Sequence, residues 1–489
     1  MYIYSSELWG QLAMSVLAQL DDLPLLQIEL EKLDPERRLA RLEMKRVIVS
    51  DTAHLEVLQA LHEVVPSISS RPHVCLITDK TPIIRDGRLL LDLVLSQIEG
   101  ECEVRLTQLT STHGGLHADE DALEQAALAA NGNDLIITIG SGTITDIGKV
   151  AAARNERMPH IAIQTAASVD GFTDNVSVVL KSGVKRTIPS AWPSIVLADV
   201  ETIAGAPREM NVAGFGEALS LFTAPADWYL SHLLGLDRSY HSASMKMLKT
   251  IASQPPNWSS GIANGEKSSI KELTKLLALR GIVSGVSNTT ACLSGVEHVI
   301  SHMLDLHHAA IHESIGLHGE QVGIASIIAS RLWRQAIEYE IFDIRKLEIP
   351  DLSEMHRRIQ NAFGHLDTDG KLAAECWRDY QLKHKLLLEN WQNVLALVDD
   401  WKNIKSQFET LVTPAETMAS ALIASGGPIH FNLLSKSISD DLALWAVNNC
   451  HLMRNRFNLV DLLDLMGLWT PERIQWAMMG LVGKTNEAA

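Results

Sequence analysis

Histidines are concentrated in one short segment of the chain. Six of the 19 histidines lie between residues 298 and 318, in the stretch SGVEHVISHMLDLHHAAIHESIGLHGEQVG. His298 and His302 are four residues apart, so on a helix both imidazoles lie on one face. Neutral imidazoles on one face suit a divalent ion such as Zn²⁺ or Ni²⁺. Buried histidines with a structural role show the same spacing, so the segment indicates either a metal site or a histidine-rich core.

A metal site needs a third ligand, and two residues qualify by type and position. His318 opens the next predicted helix, and Glu217 lies in the segment GFGEALSLFTAPADW. An imidazole or a carboxylate completes the ligand set of a typical catalytic zinc site. Pro225 follows Glu217 and is expected to kink the helix that carries this carboxylate.

A glycine-rich turn follows one of the apolar strand candidates. The strand DLIITIG runs into GSGTITDIGKVAA, with Gly140 and Gly142 at the turn and a helix beginning near Thr143. A strand, a glycine turn and a helix N-terminus together present N–H groups to a phosphate. The spacing is not the GxGxxG of the ordinary dinucleotide fingerprint, and a plain turn is the alternative. Asp79, which ends the strand HVCLITD, is expected either to accept hydrogen bonds from an adenosine ribose or to cap the next turn.

Polar side chains follow another strand candidate, HIAIQTA, in the segment TAASVDGFTD. Thr165, Ser168 and Asp170 are expected at the carboxyl edge of the sheet, where open α/β sheets bind ligands. The next segment, VSVVLKSGVKRTI, predicts a hairpin that turns at Ser182 and Gly183. The cations of this hairpin are Lys181, Lys185 and Arg186. They either attract an anionic substrate or protect an edge strand from unwanted pairing.

The elements that must position these residues change character near residue 205. Six β-rich runs alternate with helical stretches before that point, at 46–51, 73–79, 102–109, 134–140, 160–166 and 194–199. Runs that are apolar throughout are typical of a parallel sheet covered on both faces, and helices between them indicate βαβ units. Beyond residue 205 apolar residues recur at helical spacing. We therefore predict a helical N-terminal arm (1–45), an α/β Rossmann-like dinucleotide-binding domain (46–205) and an all-helical domain for metal and substrate (206–489).

Composition narrows the classes of function. The 489 residues carry 42 Lys and Arg against 59 Asp and Glu, a net charge of −17. This balance argues against nucleic acid or an anionic membrane surface as the main partner. No apolar run approaches the length of about 18 residues that spans a bilayer. The five cysteines lack CxxC spacing, which predicts reduced thiols and a cytoplasmic protein.

Six motifs together resemble the sn-glycerol-1-phosphate dehydrogenase family, a branch of the iron-containing alcohol dehydrogenase and dehydroquinate synthase-like superfamily. They are GSGTITD, TAASVDGF, LKSGVKRTIP, IVLADVETIAGAPREMNVAGFGE, SGVEHVISH and LHGEQVG, in the order that the family shows. The closing segment RNRFNLVDLLDLMGLW (454–469) is similar to the end of bacterial-type members, so the resemblance covers roughly 45–469. It implies an NAD(P)H cofactor, one divalent metal (Zn, Ni or Fe) in a cleft between the domains, and a phosphorylated polyol or ketone as substrate. It also allows a homodimer.

The resemblance implies roles for individual residues. Glu217, His298 and His318 would ligate the metal, while His302 and Asp170 would act on the substrate. Asp79 would lie near the adenosine ribose and favour NAD through a 2′-hydroxyl. The remaining cofactor contacts would be Gly140, Ser141, Gly142, Thr143, Ile144, Thr165, Ala166, Ala167, Ser168 and Asp174.

Two positions depart from the family pattern. Glu217 replaces an Asp, which adds one methylene to a metal ligand, and Asp174 stands where the family more often has a small hydroxyl residue near the cofactor. The expected reaction is hydride transfer from NAD(P)H to dihydroxyacetone phosphate or a related small carbonyl compound, with the metal polarising the carbonyl. Two alternatives keep the same fold. One is a homologue that is non-catalytic or acts on another substrate, and the other is a dehydroquinate synthase-like cyclase.

Overall fold

The computed structural model describes residues 19–65, 71–110, 115–181, 184–253, 258–339 and 342–482. The chain forms two compact units. Among the described residues, the first contains those up to Phe215 together with His241–Asn288, and the second contains Gly216–Tyr240 and those from Thr289 onward.

Strands are confined to the first unit in the described part of the chain. They are β1 (Arg46–Ser50), β2 (His73–Thr78), β3 (Ile84–Arg85), β4 (Arg88–Leu89), β5 (Glu103–Gln108), β6 (Leu135–Gly140), β7 (His160–Gln164), β8 (Val176–Lys181), β9 (Val184–Pro189) and β10 (Ile195–Asp199).

Helices occur in both units. In chain order they are α1 (Leu23–Leu33), α2 (Val57–Val64), α3 (Leu90–Ile98), α4 (Glu120–Ala130), α5 (Gly142–Arg154), α6 (Val200–Ala204), α7 (Arg208–Ala218), α8 (Ala224–Leu233), α9 (Ser242–Ala252), α10 (Lys267–Ser287), α11 (Val296–Ala310), α12 (His318–Glu338), α13 (Leu352–Phe363), α14 (Lys371–Glu389), α15 (Trp391–Asp399), α16 (Trp401–Ile404), α17 (Ser406–Glu409), α18 (Ala415–Ala424), α19 (Asp440–Asn449), α20 (Leu459–Leu465) and α21 (Pro471–Met478). Short 3-10 helices cover Gln19–Asp21, Ala53–Glu56, Leu219–Phe222, Ser259–Asn264, Ala291–Leu293, Ile344–Lys346, Phe431–Leu433 and Cys450–Leu452.

The central sheet of the first unit is parallel and six-stranded, in the order β1-β10-β7-β6-β2-β5. All six strands predicted from the sequence are therefore present. Apolar side chains from both faces are buried: one cluster packs under α2 and α3, and a second packs under α4 and α5. Burial on two faces explains why the central strands are apolar throughout rather than alternating.

The predicted hairpin is also present. Strands β8 and β9 pair antiparallel, with Val176 opposite Pro189 and Lys181 opposite Val184. The predicted turn residues Ser182 and Gly183 lie outside the described residues.

In the described residues every element after β10 is a helix, as the sequence predicted. The units do not coincide with the predicted ranges 46–205 and 206–489, because α9 and α10 group with the sheet, where α10 packs on α6 and β1. Amphipathic spacing identifies such helices but does not say which neighbour their apolar face will meet. In the predicted N-terminal arm, α1 is helical, and residues 1–18 lie outside the described part.

The second unit is built around buried aromatic side chains and one buried carboxylate. Trp228 and Trp333 are almost fully buried, and Trp333 stacks on Phe408 with ring centroids 4.9 Å apart. Asp227 accepts hydrogen bonds from Trp333 Nε1 (3.2 Å) and from the backbone N–H groups of Val296 and Leu459 (2.9 Å each). One carboxylate thus ties together α8, α11, α12 and α20.

None of the described helices combines the length and the apolar character needed to cross a membrane. All five cysteines are buried.

Candidate functional site

Three side chains of the second unit converge on one point. Glu217, His298 and His318 each offer a ligand atom, and these atoms lie within 4.8 Å of one another. Glu217 Oε1 is 3.1 Å from His298 Nε2, and Glu217 Oε2 is 3.7 Å from His318 Nε2. Two imidazole nitrogens and one carboxylate are the protein ligands of a typical catalytic zinc site, which keeps a further position open. The residues that the sequence selected are therefore close enough to bind a single divalent ion.

A close helix crossing brings Glu217 to the histidines. Gly216 lies against Gly319 of α12 so closely that an added Cβ would overlap the Gly319 carbonyl and would lie 3.5 Å from the Cα of Gly323. Only residues without side chains permit this approach of two backbones. The neighbours of these glycines in sequence, Glu217 and His318, consequently face each other.

Pro225 does not disturb the helix that carries Glu217, contrary to expectation. Helix α7 ends at Ala218, and Pro225 lies in the first turn of the separate helix α8. A proline in the first turn costs no helical hydrogen bond, because the N–H that it lacks would have no partner there.

The electrostatics of the cluster favour a cation. Burial alone would lower the pKa of His298, but the carboxylates of Glu217 and Glu297 on either side raise this pKa to about 9. The two carboxylates therefore favour positive charge at His298, and a metal ion at its Nε2 would also supply positive charge there. Burial, together with the nearby Glu297, also raises the pKa of Asp227 to about 8.

Hydrogen-bond acceptors stand behind both imidazoles. His298 Nδ1 lies 3.0 Å from Glu297 Oε1, and His318 Nδ1 lies 2.8 Å from Ser301 Oγ. Ser301 Oγ in turn donates to Gln321 Oε1 at 2.7 Å. Sequence reasoning missed these three residues. Their sequence positions could have indicated them, because Glu297 and Ser301 lie one and three residues from His298 and Gln321 lies three residues from His318.

The remaining histidines divide into two groups. His302 stacks on His318 with ring centroids 5.4 Å apart, and with Asp305 these residues form a second set of possible ligands that shares His318. His307 and His308 instead pack against each other, and His307 also contacts Trp445. Only His298, His302 and His318 of the six clustered histidines belong to the ion-ligand groups of the described residues.

In the first unit, the predicted cofactor residues meet at the carboxyl edge of three neighbouring strands. Asp79 follows β2, Gly140 ends β6 and Thr165 follows β7. The Thr165 N–H donates to the Gly140 carbonyl at 3.1 Å. Strand order reverses here, since the chain moves from β2 outward to β5 and then back to β6 on the other side. Open α/β sheets bind their ligands at such a switch point.

Local structure fixes the position of the predicted cofactor residues in the first unit. Gly140 and Ser141 lead into α5, whose N-terminus has no side-chain cap, so Gly142, Thr143 and Ile144 present the first turn of that helix. The loop 165–168, which contains Ala166 and Ser168, is anchored where the Ala167 N–H donates to Asn211 Oδ1 at 2.9 Å. Asp79 accepts hydrogen bonds from the N–H and hydroxyl of Thr81. The turn-capping alternative is therefore present at Asp79, and its ribose contact stays a prediction.

Asp174 is engaged with a buried lysine. Lys149 Nζ lies 2.6 Å from Asp174 Oδ1 and 2.9 Å from Asp146 Oδ1, and Lys149 is fully buried. Burial raises the pKa of Asp174 to about 7, although Lys149 acts in the opposite direction. The negative charge that Asp174 adds near the predicted cofactor edge is thus offset within the protein, and its cofactor contact stays a prediction.

Asp170 and the hairpin cations complete the predicted set. Asp170 Oδ2 lies 3.1 Å from Arg280 Nη2, and the Arg280 side chain is fully buried. Arg186 is half-buried in β9, and the side chains of Lys181 and Lys185 lie outside the described part.

Comparisons with known proteins agree with this architecture. The family model described as iron-containing alcohol dehydrogenase matches residues 52–207. The glycerol-1-phosphate dehydrogenase [NAD(P)+] of Halalkalibacterium halodurans is 30% identical over 60% of this chain and 73% of its own length. The enzyme of that name from Bacillus licheniformis is 31% identical over 68% of this chain and 84% of its own length.

Solved structures show the same fold. A probable glycerol dehydrogenase from Sinorhizobium meliloti has a TM-score of 0.54 at 14% identity, covering 87% of this chain and 97% of the other. A glycerol dehydrogenase from Schizosaccharomyces pombe has a TM-score of 0.52 at 14% identity, covering 89% and 91%. The α/β unit with parallel sheet and the helical unit are therefore those of the dehydroquinate synthase-like fold. The chain belongs to the glycerol-1-phosphate dehydrogenase family of iron-containing alcohol dehydrogenases, which are NAD(P)-dependent enzymes acting on alcohol groups.

Proposed function

We propose that this protein is a metal-dependent NAD(P)H oxidoreductase that reduces dihydroxyacetone phosphate, or a related small phosphorylated ketone, to the alcohol. The observation that carries the proposal is the convergence of the Glu217 carboxylate with Nε2 of His298 and of His318. The relatives named glycerol-1-phosphate dehydrogenase [NAD(P)+] support the substrate class.

In this proposal, Glu217, His298 and His318 hold one Zn²⁺, Ni²⁺ or Fe²⁺ ion. When bound, the ion supplies Lewis acidity and the dinucleotide supplies the hydride. His302 is partly exposed beside His318, so its imidazole is suited to deliver a proton to the substrate oxygen. Asp170 accepts a hydrogen bond from a substrate hydroxyl, and its contact with Arg280 holds the carboxylate in place.

The carboxyl edge of β2, β6 and β7 receives the dinucleotide. The uncapped first turn of α5 donates N–H groups to the pyrophosphate. Asp79 accepts from the adenosine ribose, which favours NAD over NADP because a 2′-phosphate would be repelled. We also propose a cytoplasmic location, supported by five scattered, buried cysteines that lack CxxC spacing.

The longer carboxylate at position 217 supports a working site rather than a degenerate one. With the extra methylene, its Oε1 lies 3.1 Å from His298 Nε2 and its Oε2 lies 3.7 Å from His318 Nε2. Asp174, the other departure from the family, is paired with Lys149.

The test is an assay of NADH oxidation with dihydroxyacetone phosphate, with Zn²⁺, Ni²⁺ and Fe²⁺ supplied in turn to metal-free protein. We expect oxidation with at least one ion, and net consumption of NADH distinguishes a dehydrogenase from a cyclase that regenerates its cofactor. His298→Ala should lose both metal content and rate. Absence of NADH oxidation with every ion, in protein that carries stoichiometric metal, would contradict the proposed reaction.

A further inference from the structure

The two candidate histidine ligands present opposite ring nitrogens to different partners. Nε2 of each ring faces a Glu217 oxygen, at 3.1 Å for His298 and 3.7 Å for His318. Nδ1 of each ring faces an acceptor on the far side. A neutral imidazole carries one N–H, so the group that accepts it determines which nitrogen keeps a lone pair for a metal.

Behind His298 the acceptor is Glu297, which is fully buried. Its Oε1 accepts the Gly295 N–H at 2.6 Å and its Oε2 accepts the Thr223 hydroxyl at 2.9 Å. These two contacts hold the carboxylate in place. Both carboxylate oxygens act as acceptors in these contacts, so the 3.0 Å contact between Glu297 Oε1 and His298 Nδ1 places the hydrogen on Nδ1.

Behind His318 the acceptor is Ser301, also fully buried. The Ser301 hydroxyl has a single hydrogen, which it donates to Gln321 Oε1 at 2.7 Å. Its oxygen therefore meets His318 Nδ1, at 2.8 Å, as an acceptor. Asp305 Oδ2 lies 3.9 Å from the same nitrogen and favours a hydrogen there as well.

We infer that Glu297 and Ser301 are positioning residues that hold both imidazoles in the Nδ1–H tautomer, with the Nε2 lone pairs directed at the point that Glu217 also faces. This inference rests on the proposed metal-dependent function. Acceptors behind a ligating histidine fix its ring and raise its basicity, and their loss lowers metal affinity by about 10–100-fold. Glu297 offers a carboxylate and Ser301 a hydroxyl, and hydrogen bonds to carboxylates are the stronger, so Glu297 should have the larger effect.

The experiment measures Zn²⁺ affinity of the full chain by chelator competition, starting from metal-free protein. The variants are Glu297→Gln and Ser301→Ala. The matched control is Glu320→Gln, a buried glutamate of α12 whose carboxylate accepts the Ser435 N–H at 2.8 Å. We expect affinity about 10–100-fold lower for Glu297→Gln, a smaller loss for Ser301→Ala and wild-type affinity for Glu320→Gln.

A second readout separates positioning from a general structural effect. Side-chain ¹⁵N spectra of histidine-labelled, Zn²⁺-loaded protein should show hydrogen on Nδ1 and metal on Nε2 for both rings. Wild-type affinity in both variants, or Nδ1 coordination, would overturn the inference while leaving the metal site intact. Wild-type protein that binds none of Zn²⁺, Ni²⁺ and Fe²⁺ would instead overturn the proposed function and this inference with it. If Glu297→Gln does not fold, Ser301→Ala and the spectra decide the outcome.

Discussion

The length of the Glu217 side chain determines whether its carboxylate reaches both candidate histidine ligands. Glu217 is part of α7 at the glycine crossing, and its oxygens lie 3.1 and 3.7 Å from the two Nε2 atoms. An aspartate at this position is one carbon–carbon bond shorter, so its carboxylate would lie about 1.5 Å farther from the two imidazoles. A site residue must be placed to within about 0.5 Å. At this separation of α7 from the histidines, glutamate therefore reaches the ion position and aspartate does not.

Glu217→Asp should therefore weaken Zn²⁺ binding by about tenfold or more, which corresponds to about 1.4 kcal/mol. Chelator competition on metal-free protein measures the change. Glu320→Asp shortens another buried carboxylate of the same unit and serves as the control, with unchanged affinity expected. Tighter binding by Glu217→Asp would show that the glutamate impairs the site.

At the scale of elements, the contact between α7 and α12 positions the centre. Gly216 permits the crossing, because a Cβ there would overlap the backbone of Gly319. Gly216 and Gly319 have no side chain that could bind an ion. Their role is to set the separation of the two backbones, and the side chains next to them depend on that separation.

Gly216→Ala should force the two helices apart. We expect a loss of about 1–3 kcal/mol in the free energy of unfolding, as for overpacked cores, together with weaker Zn²⁺ binding. Urea unfolding and chelator competition measure the two effects. Gly100→Ala is the control, since an added Cβ there meets nothing within 4 Å. Retention of full Zn²⁺ affinity in Gly216→Ala would mean that the crossing does not position Glu217.

Elements with strong local patterns could be predicted from the sequence, and contacts between distant segments could not. The apolar runs that became β6, β7 and β10 are buried on both faces, so their composition reports their position directly. Glu217, His298 and His318 were selected by residue type and by resemblance to a family. Asp227 was not found, because its partners Val296, Trp333 and Leu459 are distant in sequence and meet it only through packing.

At the scale of the whole molecule, the chain passes between its two units more than once. The candidate ion ligands all belong to the second unit, and the candidate cofactor residues all belong to the first. Charge patterning and helix periodicity do not identify the positions at which the chain passes from one unit to the other. They also do not identify the unit to which α9 and α10 belong. Both features depend on which apolar helix faces pack against each other, and the partners of a face are distant in sequence.

Buried titratable groups of the first unit link the stability of the molecule to pH. His160 is fully buried at the start of β7, with its Nε2 2.8 Å from Thr138 Oγ1. Burial and the charge of Lys149 lower its pKa to about 3. The same group in the unfolded chain titrates near 6.5. As pH falls below about 6.5 the unfolded chain binds a proton that the folded chain does not, so stability is lost.

His160→Gln should therefore flatten the acid side of the stability profile. Between pH 6.5 and 4.5 the wild type should lose up to about 1.4 kcal/mol per pH unit more than the variant. Urea unfolding at several pH values measures both slopes, and the slope is the readout because the substitution also changes packing. Equal slopes would mean that His160 is protonated in the folded state.

The central claim is that Glu217, His298 and His318 bind one divalent ion. The most direct measurement is anomalous diffraction at the zinc edge from crystals of the protein loaded with Zn²⁺. We predict a single strong peak about 2.0–2.2 Å from a Glu217 oxygen and from Nε2 of both histidines. A peak at other residues, or no peak in this cluster at saturating Zn²⁺, would contradict the claim.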